Sequence, residues 1–125
     1  MDFTQLKVLV VDDIKVVRTA LSRDLTSIGI HKIHESDNIM DAWEKIISEN
    51  VDLIFCDWNM PNGDGIELLK RVRAEKDDSL RFKKFIMITG SEGKAYMAMD
   101  SGAHNIIHKP FKSEDIKNKI ELLFS

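Results

Sequence analysis

The chain has one cysteine among its 125 residues, so no disulfide can form within it. That residue, Cys56, lies inside an apolar run, which predicts a buried, inert thiol in a reducing compartment. Positive charge is also thin. The formal charge is −3, and no basic tract is dense enough to hold a nucleic-acid backbone. The apolar runs fall far short of the ~20 residues that a membrane span needs. The opening MDFTQLK lacks the charged start and long apolar stretch of a secretory leader. Internal repeats and low-complexity segments are missing as well. What is present is the composition of an ordinary globular domain, 43% hydrophobic and 31% charged. A chain of this length buries roughly two thirds of its unfolded surface, enough for one core. The expectation is one cytoplasmic domain over residues 1–125, with no output domain, no nucleic acid and no membrane.

Short β-branched runs alternate with helical patterns from end to end. Strands are predicted at 6–12, 31–35, 51–57, 83–89 and 104–108. The runs VLVV, LIFC and FIMI are nearly continuous in apolar residues, as parallel strands covered on both faces require. Ile14, Val17, Leu21, Leu25 and Ile28 form a helical stripe that Gly29 stops. Ile39, Ala42, Trp43, Ile46 and Ile47 form a second stripe, and Ile66, Leu69 and Val72 a third. A fourth helix, at about 92–101, carries only Ala95 and Ala98, and a fifth carries Ile116, Ile120 and Leu123. Lys76 to Leu80 reads as a polar loop. Five β–α units in strict alternation predict an open parallel sheet with helices on both faces.

In such sheets ligands bind beyond the carboxyl ends of the strands. Asp12 and Asp13 end the first run, Asp57 the third, Thr89 the fourth, and Lys109 follows the fifth. Clustered carboxylates resist ionising together unless a cation neutralises them. Mg²⁺ suits them, because it prefers oxygen ligands and keeps positions open for a phosphoryl group. Each residue also has a plainer reading. Asp13 could cap the following helix, and Asp57 could serve the turn after it. Asp64 is placed to cap the next helix, with Gly63 and Gly65 relaxing the backbone before it. Thr89 and Lys109 alone would pass for solvated strand ends. Their convergence at one edge favours a phosphoryl-transfer site.

Asp12-Asp13, Asp57, Thr89-Gly90 and Lys109-Pro110-Phe111, in order and in frame across the whole chain, resemble the receiver domain of two-component response regulators. The resemblance implies a flavodoxin-like, doubly wound (βα)5 α/β fold with strand order 2-1-3-4-5. It implies that Asp57 takes a phosphoryl group from a histidine kinase, forming an acyl phosphate. Asp12, Asp13, Asp57 and the main-chain carbonyl of Asn59 would hold Mg²⁺, Asp12 directly or through water. Thr89 and Lys109 would bind the phosphoryl oxygens. The Lys109–Pro110 bond is cis in that family. A monomer that catalyses its own phosphorylation and dephosphorylation, but is otherwise no enzyme, is what the resemblance implies. Its signal would be a phosphorylation-dependent docking face built from the fourth helix, fifth strand and fifth helix. The string Asp57-Trp58-Asn59-Met60-Pro61 looks like that of stand-alone chemotaxis regulators, whose partner is a flagellar switch. A phosphorelay intermediate serving a phosphotransfer protein, or a scaffold that is never phosphorylated, is the alternative.

Several positions depart from the pattern or stand outside it. Ile106 occupies a place where the family often has an aromatic switch residue, and reads as a strand residue packed on the fourth helix. His108 reads as a solvated strand end rather than a pH sensor. His31, His34 and His104 lack metal-ligand spacing, so no zinc site is expected. Tyr96, Met97 and Met99 have the helical spacing of core residues; exposed, they would make a plastic docking surface. Asn59 and Ser91 lie where the family tunes hydrolytic water. A flavodoxin would need a hydroxyl-rich phosphate loop where Asp12-Asp13-Ile14-Lys15 stands. A dehalogenase-type phosphatase would need an acid where Asn59 stands.

Overall fold

A computed structural model describes residues 2–60, 64–90 and 95–124, apart from the side chain of Ala95. Five parallel strands form its centre: β1 (Lys7–Val11), β2 (Lys32–Ser36), β3 (Leu53–Asp57), β4 (Lys84–Thr89) and β5 (Asn105–His108). Their order is β2-β1-β3-β4-β5, the doubly wound arrangement anticipated. Helices α1 (Lys15–Ser27), α2 (Ile39–Ser48), α3 (Gly65–Arg73), α4 (Asp78–Arg81), α5 (Ala95–Asp100) and α6 (Ser113–Phe124) make the connections.

Alternation along the strands explains the two layers. Val8, Val10, Leu53, Phe55, Ile86, Ile88 and Ile107 face one side, where Leu21 and Leu25 of α1 and Ile116 and Ile120 of α6 cover them. Leu9, Val11, Ile54, Cys56, Phe85, Met87 and Ile106 face the other, under α2, α3 and Ala98 of α5. Every residue of β3 is buried, so its terminal Asp57 is carried to the rim by a strand that cannot slip.

Helix α1 stops as anticipated. Gly29 adopts φ +105°, and the Ile30 N–H returns to the Leu25 carbonyl at 3.1 Å. The stripes are narrower than predicted: Ile14 and Ile47 are exposed, Ile14 because it stands in extended backbone just before α1. Leu68 joins Leu69 and Val72 in the core. The stretch predicted as a polar loop contains the single turn α4, whose N–H at Ser79 is capped by Asp77 at 2.9 Å. Gly63, Ser91 and the first residues of the predicted fourth helix lie outside the described residues.

Candidate phosphoryl-transfer site

The ends of β1 and β3 bring the three acids together. Asp12, Asp13 and Asp57 each offer an oxygen within 4.8 Å of the others, the one such group of potential metal ligands among the described residues. Asp12 and Asp57 are buried, at 2% and 6% exposure. Lys109, just past β5, places Nζ 2.8 Å from Asp57 Oδ1 and 3.8 Å from Asp12 Oδ2. The Lys109–Pro110 peptide is cis. Thr89 ends β4 and is buried beside them, and a Cβ added to the following Gly90 would meet nothing within 4 Å.

Local structure explains each placement. Asp13 is not a helix cap: the N-cap of α1 is Ile14, with no side-chain capping bond. Capping therefore does not account for the paired acids. Asp12 Oδ1 accepts from the Ile14 N–H at 2.9 Å, while Oδ2 is buried with no hydrogen-bond partner among the described residues. Burial raises the Asp12 pKa; the Ile14 bond opposes that rise, and the charges of Asp57 and Asp13 add to it. An acid held this way calls for a positive partner, and a hard divalent cation fits three convergent carboxylates.

After Asp57 the chain turns sharply. Trp58 N–H donates to the Ile88 carbonyl and Gly65 N–H to the Trp58 carbonyl, each at 2.9 Å. Asp64 caps α3 through the Glu67 N–H, as predicted. Gly65 has a different role from the backbone relaxation anticipated. A Cβ there would lie 2.5 Å from the Asp57 carbonyl oxygen, so glycine permits α3 to start against the end of β3. Asn59 is on the exposed side of the same turn. Cys56 is fully buried, and burial, then the Asp57 charge, pushes its thiol pKa well up; it is inert.

Other positions sort themselves. Ile106 packs in the layer that holds Ala98, as predicted. His108 is exposed beside Lys109. His104 packs at the far end of the sheet; its Nδ1 lies 3.1 Å from an Arg73 guanidinium nitrogen and 3.2 Å from the Phe85 nitrogen. The core assignment for the fourth-helix side chains fails for three of them. Tyr96, Met97 and Met99 are 67%, 45% and 48% exposed, because among the described side chains of α5 only Ala98 turns inward. Sequence reading also missed Arg18, whose guanidinium reaches the Asp12 carbonyl at 2.7 Å. A basic residue one turn into a helix gives no sign that it folds back rather than facing water.

The family model for the response regulator receiver domain matches residues 8–121. This chain belongs to that family. Among related receivers, a chemotaxis protein CheY homolog of Campylobacter jejuni is 38% identical over 119 residues, covering 93% of this chain and 90% of its own. The chemotaxis protein CheY1 of Helicobacter pylori is 37% identical over 123 residues, covering 94% and 96%. In structure, the receiver resembles the chemotaxis response regulator CheY4 of Vibrio cholerae, with a TM-score of 0.85, 28% identity and coverage of 96% and 99%.

Proposed function

We propose that this receiver accepts a phosphoryl group on Asp57 from a histidine kinase and signals by phosphorylation-dependent docking. The observation that carries the reading is the Lys109 ammonium 2.8 Å from Asp57 Oδ1, beside the unbonded Oδ2 of buried Asp12. An Asp57 carboxylate oxygen attacks the phosphorus of a phosphohistidine. The P–O bond forms as the P–N bond breaks, and the imidazole leaves with the electron pair. Asp12, Asp13, Asp57 and the Asn59 carbonyl would hold Mg²⁺, which screens the repulsion between carboxylate and phosphoryl oxygens. Lys109 and the Thr89 hydroxyl take the remaining phosphoryl oxygens. Water later cleaves the acyl phosphate at the same site, so the only chemistry is the chain's own phosphorylation and dephosphorylation.

The exposed Tyr96, Met97 and Met99 of α5, which packs against β5 as α6 does from the other layer, support the face of α5, β5 and α6 as the docking surface. The chemotaxis names of the relatives support chemotaxis as the pathway; on that reading this chain acts there on a flagellar switch, as a cytoplasmic monomer. A second reading, a phosphorelay intermediate, draws on α1, where Ile14 and Val16 are 52% and 77% exposed beside the acids. Intact mass after incubation with acetyl phosphate and Mg²⁺ tests the chemistry. One phosphoryl increment is expected, lost with EDTA and absent in Asp57→Asn. No increment, with acetyl phosphate or with a phosphorylated cognate kinase, would leave a scaffold. NMR shift mapping then separates the outputs: a flagellar-switch peptide perturbs α5, and a phosphotransfer protein perturbs α1.

A further inference from the structure

All the polar atoms of Asp12 but one have hydrogen-bond partners among the described residues. Its N–H donates to the Ser36 carbonyl at 3.1 Å, and its Oδ1 accepts from the Ile14 N–H at 2.9 Å. Its carbonyl oxygen accepts from an Arg18 guanidinium nitrogen at 2.7 Å. Oδ2 has no hydrogen bond among the described residues and faces the Lys109 ammonium at 3.8 Å. The Asp12 carbonyl belongs to the peptide that joins Asp12 to Asp13, and that peptide is planar. A donor on this oxygen therefore holds the plane from which Asp13 departs while Asp12 is pinned at its other end.

Arg18 is itself anchored from behind. Its Nε donates to Glu35 Oε1 at 3.2 Å, and Ser22 Oγ reaches the other Glu35 oxygen at 3.4 Å. The Arg18 side chain is 15% exposed. A guanidinium delivers both bonds from one rigid plane, which an ammonium cannot do. Glu35 also offsets the charge, so a cation among the acids does not face an unbalanced arginine.

We infer that Arg18, clamped by Glu35, is a positioning residue for the cation site: it holds the Asp12–Asp13 peptide so that Asp12 Oδ2 and the Asp13 carboxylate converge with Asp57. The inference rests on the Mg²⁺ reading of the three acids. Groups that orient metal ligands without touching the metal typically change its affinity by ~10–100-fold when removed. The arginine acts from the helix that follows the acids, so the first strand, the second strand and α1 share control of the site.

The test is calorimetric titration of Mg²⁺ into the full chain, with a urea titration of each variant in EDTA. Arg18→Met keeps the stem and removes the fork; it is expected to raise the Mg²⁺ Kd about tenfold. Arg18→Lys, able to reach one anchor at a time, is expected to raise it about threefold. Lys15→Met, an exposed cation on the same helix, leaves it unchanged. Unchanged affinity in Arg18→Met, even with a lowered urea midpoint, would show a role in folding alone and overturn the inference. An equal loss in Lys15→Met would show a general charge effect and overturn it too. Should Arg18→Met not fold, Glu35→Met keeps the arginine and removes the oxygen that accepts from its Nε; about a threefold weaker Kd is expected, and no change overturns the inference. Failure of the parent to bind Mg²⁺ saturably, in a manner abolished by Asp12→Asn, would instead sink the underlying Mg²⁺ reading.

Discussion

Asp12 shows how little of a residue's work is visible in its identity. A buried carboxylate with one unbonded oxygen, a raised pKa and two acidic neighbours destabilises the cation-free fold. Its folded-state pKa lies above the unfolded one, so that cost grows as pH rises through the window above its ordinary value. Asp12→Asn is therefore expected to raise stability in EDTA by about 1 kcal/mol at neutral pH while abolishing tight Mg²⁺ binding, as read by urea midpoints and calorimetry. Gly65 makes the opposite case. Placing a methyl 2.5 Å from the Asp57 carbonyl forces backbone to move. Gly65→Ala should cost about 1–3 kcal/mol and slow phosphorylation by acetyl phosphate, measured by urea titration and intact mass. The acids, Thr89 and Lys109 were all legible as strand-end polar residues after apolar runs. The close approach at Gly65 and the inward fold of Arg18 were not, because both depend on how the chain folds back on itself, which residue type and spacing do not reveal.

At the scale of elements, the edge opposite the site is tied together by Arg73. From α3 it donates to the carbonyls of Gly102, Arg81 and Lys83 at 2.9, 2.9 and 2.8 Å, and meets His104. Nδ1 of His104 accepts from both Arg73 and the Phe85 N–H, which requires the neutral ring with its proton on Nε2. Burial first, then the Arg73 and Lys84 charges, lowers the His104 pKa to about 4. The unfolded chain takes up that proton first, near 6.5. The stabilisation is thus complete above pH 6.5 and lost as pH falls toward about 4, and His104→Gln should flatten this part of the pH profile of the urea midpoint. Helix α5 calls for a different measurement. Alanine at Tyr96, Met97 and Met99 together should change stability by no more than about 0.5 kcal/mol per site, as exposed positions do, yet weaken partner binding in a titration with the phosphorylated chain. Methionine spacing suggested core here. Spacing locates a stripe along a helix but does not say whether the sheet is wide enough to cover it.

For the whole molecule, binding at the carboxyl edge is linked to folding by mass action. Mg²⁺ at 100 times its Kd should raise unfolding free energy by about 2.7 kcal/mol, with EDTA or Asp12→Asn abolishing the gain in thermal or urea unfolding. The open parallel sheet and its two covered faces were readable from the chain, because buried parallel strands need continuous apolar runs and their crossovers must be right-handed, whereas the strand order was implied by the family resemblance. Those local rules leave few ways to wind five β–α units, and every winding that fits sends the strand-end acids to one edge. Local pattern thus determined the fold class, the edge and the residue types gathered there. Tertiary structure alone decided which oxygen of Asp12 stays without a protein donor, which helix holds its peptide, and which side of α5 faces water. Those outcomes turn on distances of a few tenths of an ångström in the folded chain, and a one-dimensional pattern carries no such distances.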